Sequence, residues 1–145
     1  MATRKTILKH AKTWVGTPYQ HQAMVKGVAV DCAMLIAGVA VDCGLSIDKS
    51  KIPPYTTQWF LHNREELLKD IMKSLGFKEI KLEDAKAGDV LGFKYGRVMS
   101  HLGIKSTNDK LIQASAETNL VTESFYDDMK SHLTTAYRFP DGNSS

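Results

Sequence analysis

Residues 31–44, DCAMLIAGVAVDCG, constrain the chain more than any other stretch. From about Asp31 to Cys43 they are apolar nearly all round at helical spacing, and Gly44 follows at the position where helices favour a glycine cap. A helix with no polar face cannot lie on a surface, so other elements have to wrap it. With 145 residues, 43% of them apolar, the chain is long enough to do so as one domain with a sizeable core.

The flanking segments supply the layers. Ile7, Leu8, Ala11, Trp14 and Val15 recur at helical spacing until Gly16 stops them, and the loop TPYQHQAMVKG follows. After a proline-bearing loop, SIDKSKIPPYTTQ, an amphipathic helix is predicted over about Thr57–Leu75. It buries Leu61, Leu67, Leu68, Ile71 and Leu75 and ends at Gly76. The pattern then changes. DVLGFKYG, VMSHLGIKS, KLIQASA, LVTESFY and TTAYRFP are short, β-rich and separated by turn residues. Helices first and a small antiparallel sheet after them predict an α+β fold. Residues 1–140 read as a single domain and residues 141–145 as a frayed tail.

A net charge of +3 is mildly basic, and the lysines form neither a run nor an aromatic-basic ladder. Nucleic acid is therefore not the expected partner. No segment approaches membrane-spanning length, and the amino end lacks the apolar core of a signal peptide. The expectation is a chain made in the cytoplasm and carried by other means to any site of action outside it.

Both cysteines lie in the same pentapeptide, VAVDC, repeated eleven positions apart. In one helix Cys32 and Cys43 would stand about 16 Å apart along the axis, too far for a disulfide or a shared zinc. There is no CxxC or HExxH pair, so no metal site is expected, and no organic cofactor is implied. Cys32 falls at the helix N-terminus, where free N–H groups and the helix dipole lower a thiol pKa; Cys43, in the last turn, reads as a small core residue. Cys32 is thus the candidate nucleophile.

Of the five histidines, His10, His62 and His132 sit in polar, exposed contexts, and His21 lies in the loop before Cys32. His101 lies in a strand pattern, where alternation places Ser100, Leu102 and Ile104 on one face and Met99, His101 and Gly103 on the other. A hairpin centred near Thr107 would set Gln113 opposite His101 on the same face, where its side-chain oxygen can accept from the imidazole. Cys32, His101 and Gln113 form a candidate triad.

At this point the residues resemble the NlpC/P60 cysteine peptidases. GTPY at 16–19, the DC pair at 31–32, an apolar helix ending in Gly44, AGDVLGF at 87–93, SHLGI at 100–104 and LIQAS at 111–115 occur in the family's order. TPYQHQ, VKGVAVDC and the closing AYRFP look more like its phage and gene-transfer-agent branch. The resemblance implies a papain-like core and hydrolysis of peptidoglycan stem peptides, commonly at the bond between γ-D-glutamate and a diamino acid. It places the catalytic Cys at Cys32, the His at His101 and the third polar residue at Gln113. Tyr19 and Asp31 would hold the substrate's free amino end, and Ser100 joins them among the substrate-binding residues. The partners implied are a peptidoglycan peptide and phage tail or tail-like assembly proteins, with a virion- or tail-associated location. Two departures stand out. The frequent DCSG is DCAM here, removing a hydroxyl, and the usual third His is Gln113. A tail-tip assembly module with secondary or lost hydrolysis, and a related thiol acyltransferase, are the alternatives.

Overall fold

The computed structural model describes residues 3–48 and 67–140. Helix α1 (Arg4–Lys12) is followed by a two-strand ribbon, β1 (Met24–Val25) and β2 (Ala29–Val30), and by the central helix α2 (Cys32–Asp42). Helix α3 spans Leu67–Ser74. The first part of the helix predicted from Thr57, with Leu61, and His62 lie outside the described residues. Strands β3 (Lys78–Ile80), β4 (Val90–Tyr95), β5 (Val98–Lys105), β6 (Lys110–Ser115), β7 (Leu120–Phe125) and β8 (Leu133–Arg138) form one antiparallel sheet in the order β3-β8-β4-β5-β6-β7. The fold is α+β, as expected, and β3 is an edge strand that the sequence pattern does not reveal.

Helix α2 is wrapped as its composition demands. Ala33 and the whole run Leu35–Ala40 are buried, with β5 and β6 on one side and α1 on another. Asp31 caps its start, accepting the Met34 N–H at 2.9 Å. Its end is a Schellman turn: Leu45 N–H reaches the Ala40 carbonyl at 3.0 Å, with Gly44 at φ +81°. A glycine lets Trp14, just past the end of α1, come close. A Cβ on Gly38 would stand 2.5 Å from the Trp14 ring.

Strand β5 does not alternate as predicted. Phe93 pairs with His101 but Lys94 pairs with Met99, so Ser100 is an extra, bulged residue. The bulge inverts the parity before it. Met99 joins Leu102 and Ile104 in the core on the α2 side, instead of sharing a face with His101. The β5–β6 hairpin is also centred one residue later than expected, at Asn108, with Ile104 opposite Ile112. Gln113 is therefore not directly across from His101 but diagonal to it, still on the same face. Downstream, Gly103 leaves room for Leu111, whose side chain would stand 2.7 Å from a Cβ there.

Candidate active site

Three elements converge on Cys32. It is the first residue of α2, half-buried, at the end where the helix leaves its N–H groups free. The backbone at Leu102, the residue after His101, lies near enough to its thiol to favour the charged form, which sets the helix start against β5. The GTPY loop forms the third side. Gly16 N–H donates to the Val121 carbonyl and Val121 N–H to the Thr17 carbonyl, both at 2.8 Å, and Tyr19 N–H donates to the Asn119 carbonyl at 2.8 Å. Thr17 is buried and its hydroxyl accepts the Gly27 N–H at 3.0 Å. These bonds fix the loop between β7 and the β1–β2 ribbon and carry Tyr19 to Cys32. The phenol is pushed up to about 12 by burial first, then by Cys32 and Asp31, so the three side chains share one electrostatic neighbourhood.

His101 and Gln113 meet side chain to side chain. His101 Nε2 lies 2.6 Å from Gln113 Oε1. The amide oxygen can only accept, so the proton resides on Nε2 and Nδ1 is the free base. Gln113 is buried, and its amide N–H₂ reaches the Met129 sulfur at 3.7 Å. The imidazole packs near Phe93, with ring centroids 5.9 Å apart. It is crowded enough that desolvation lowers its pKa, against the upward pull of the Gln113 bond.

The thiol departs from expectation. Burial, and next the Asp31 carboxylate, push Cys32 up to about 12; backbone hydrogen bonds at Leu102, Ala33 and Cys32 itself act the other way and lose. The helix N-terminus does not produce a low thiol pKa here, because desolvation of the sulfur outweighs the dipole. Asp31 keeps its position through two backbone bonds, Met34 N–H at 2.9 Å and Gln22 N–H at 2.7 Å. With the thiol raised and the imidazole lowered, both side chains are neutral at rest. Cys43, by contrast, is at the far end of α2, half-buried as its C-cap.

An open cleft of about 720 Å³ runs from His101 over the face of the sheet away from α2. Its described walls include Ser100, His101 and Gln113, together with Glu117, Asp128 and Met129; Cys32, Tyr19 and Asp31 lie outside them. Ser100 reaches this cleft because of the bulge. His132, expected to be exposed, is half-buried in the wall. Its ring stacks on Tyr95 at 4.1 Å and its Nδ1 bonds to the Lys94 carbonyl at 3.0 Å. The Tyr95 phenol is raised by burial, then by Asp128 and Glu117, two carboxylates that line the same cleft. These residues stand in turns and edge positions that no sequence periodicity marks. Among the described residues, no group of three or more His, Cys, Asp or Glu is arranged to hold a metal, and no helix is long and apolar enough to cross a membrane.

No curated protein matches the chain by sequence. Solved structures do match its fold. A Staphylococcus aureus protein described as similar to lipoprotein of the NLP/P60 family aligns with TM-score 0.65 and 22% identity, covering 94% of this chain and 41% of that one. This chain thus spans less than half of that relative. The NlpC/p60 domain of the peptidoglycan hydrolase SagA aligns at TM-score 0.65 and 18% identity, over 94% of this chain and 98% of that one. RipD of Mycobacterium tuberculosis, described as a non-catalytic NlpC/p60 domain protein adapted to peptidoglycan binding, aligns at TM-score 0.61 and 12% identity, over 93% and 95%. At such identities these likenesses speak for the fold. The family assignment comes from the sequence profile of the NlpC/P60 family, which matches residues 16–138, from the GTPY loop to the last strand, and the chain belongs to that family.

Proposed function

We propose that the protein is a cysteine peptidase that hydrolyses peptidoglycan stem peptides, at the bond between γ-D-glutamate and a diamino acid. The observation that carries the reading is the 2.6 Å bond from His101 Nε2 to Gln113 Oε1, which leaves Nδ1 as the base, on the strand whose next residue, Leu102, has its backbone against the Cys32 thiol. The Cys32 proton passes to Nδ1 as the sulfur attacks the amide carbonyl. The imidazolium then protonates the leaving amine, and the same nitrogen takes a proton from water to release the acyl group. The Cys32 N–H, free at the helix start, is placed to donate to the carbonyl oxygen in the transition state. Tyr19, Asp31 and Ser100 are the proposed substrate contacts. Asp31 would meet an incoming ammonium with its carboxylate.

One feature favours a second reading, wall-peptide binding without turnover, as described for RipD: burial and the Asp31 carboxylate raise the Cys32 thiol. Purified peptidoglycan separates the two. Hydrolysis predicts new amino groups with the wild-type protein and none with Cys32→Ala, and mass spectrometry of the released muropeptides identifies the bond. Binding by both proteins without new amino groups would establish the second reading. Transfer of the acyl group to an added amine would mark an acyltransferase. Delivery to the wall by a phage tail or tail-like assembly is a further part of the proposal, supported by the TPYQHQ and VKGVAVDC wording.

A further inference from the structure

A glutamine is a two-faced partner for a histidine. Its oxygen accepts from an imidazole N–H, while its N–H₂ donates to a bare ring nitrogen, and a half-turn of the amide exchanges the two. In the observed orientation Oε1 faces His101 Nε2, so Nδ1 is bare. With the amide reversed, Nε2 would be the acceptor, the proton would move to Nδ1, and the proposed mechanism would lose its base. Something has to choose between these states, and the other end of the same amide shows what does. Gln113 Nε2 lies 3.7 Å from Met129 Sδ. A thioether sulfur accepts but has no hydrogen to donate. It can meet the N–H₂ end of the amide and cannot meet the carbonyl end.

Met129 is held in place to do this. It lies in the 3₁₀ turn Asp127–His132, and its N–H donates to the Tyr126 carbonyl at 2.9 Å. Tyr126 is 3% exposed and meets Phe93 edge to face, with centroids 6.2 Å apart, and Phe93 in turn faces His101. The sulfur and the imidazole are thus fixed against a common aromatic support, with the Gln113 amide between them.

We propose that Met129 is a positioning residue: its sulfur sets which end of the Gln113 amide faces His101, and thereby keeps Nδ1 of His101 free for Cys32. The inference rests on the reading of Cys32 and His101 as nucleophile and base, but its first readout does not. Nitrogen-15 NMR of the His101 ring, at a pH where the imidazole is neutral, distinguishes the two tautomers. The wild-type protein should show the Nε2–H form alone. Met129→Leu keeps the bulk and loses the acceptor; the Nδ1–H form should appear, and kcat should fall about 3- to 10-fold with KM unchanged. Met129→Lys, a donor with no acceptor, should draw the amide oxygen away and make the Nδ1–H form predominant, and it replaces the leucine variant should that one fail to fold. Gln113→Glu presents oxygen at both ends and has no wrong orientation, so Met129→Leu added to it should cost nothing further. Unchanged tautomers in folded Met129→Leu or Met129→Lys, or an equal cost of Met129→Leu in both backgrounds, would overturn the proposal. If the wild-type protein releases no amino groups, the hydrolase reading fails, while the tautomer comparison still decides the role of Met129.

Discussion

The sharpest consequence of the site's electrostatics concerns the reactivity of Cys32 in the free protein. Between an ordinary thiol at 9.0 and Cys32 at about 12, the thiolate fraction at neutral pH falls ~10³-fold. The thiolate that does form is a better nucleophile, by ~15- to 30-fold at a Brønsted coefficient of 0.4–0.5. The two effects together leave iodoacetamide alkylation of Cys32 roughly 30- to 60-fold slower than that of an unperturbed thiol. The rate should climb tenfold per pH step without levelling through pH 9. The assay is the pH profile of Cys32 carbamidomethylation, read by peptide mass spectrometry, with a short cysteine peptide as reference. Hydrolysis should follow the base instead. Because burial lowers His101, its neutral form persists into mild acid, so the acidic limb of kcat/KM should lie below 6.5 with no alkaline fall near 8–9. A fast alkylation plateau extending into acid would refute the reasoning. It would show a thiolate–imidazolium pair already formed at rest.

Two other perturbations separate chemistry from packing. Gln113→Ala should lower kcat/KM on a stem peptide on the order of 10-fold, against 10³-fold or more for His101→Ala, because an orienter contributes less than the base it holds; Gln113→His should retain activity. Gly38→Ala should cost about 1–3 kcal/mol in urea unfolding, since the added methyl meets the Trp14 ring, which is 3% exposed and anchored to Asp42 at 2.9 Å; an unchanged midpoint would mean that the Trp14 ring moves aside freely.

What the sequence makes legible follows the range of the physics involved. Helix α2 is readable because its capping Asp, apolar body and closing glycine all lie within fourteen residues. The bulge at Ser100 is not, because strand parity depends on a partner strand, and no residue at that position announces an extra step. The hairpin register slipped for a related reason. The turn closes with Ser106 N–H on the Lys110 carbonyl at 3.0 Å and with the Thr107 hydroxyl accepting from Asp109 and Lys110, which moves the centre to Asn108. The pairing of His101 with Gln113 is legible all the same, since a two-residue shift preserves the face and a long amide spans the diagonal. The thiol pKa is the least legible feature, because a helix terminus is visible in sequence while the burial that opposes it is a property of the assembled fold.

The twin VAVDC shows how far position outweighs wording. Asp31, at the positive end of α2, accepts backbone N–H groups from Met34 and Gln22 and lies beside Cys32. Asp42, at the negative end, has the helix dipole against it and needs other support. It accepts Trp14 Nε1–H at 2.9 Å and pairs with Lys26 at 2.7 Å, while Lys26 also lies over the Trp14 ring at 5.4 Å. Each copy therefore ties α2 to the segment before it, but only the first touches the candidate chemistry. Asp42→Ala should lose about 1–2 kcal/mol, mostly from the indole hydrogen bond because the ion pair is partly exposed, and leave kcat/KM within ~2-fold. Asp31→Ala should lose ~1 kcal/mol as a missing cap. Removing its charge also lowers the Cys32 thiol, so alkylation should accelerate while hydrolysis falls through loss of the amine contact. Chemical denaturation, alkylation rate and product release, measured on both variants, test the division. Slower alkylation of Asp31→Ala, or loss of turnover in a folded Asp42→Ala protein, would show that the two ends of the helix are not distinguished as their partners imply.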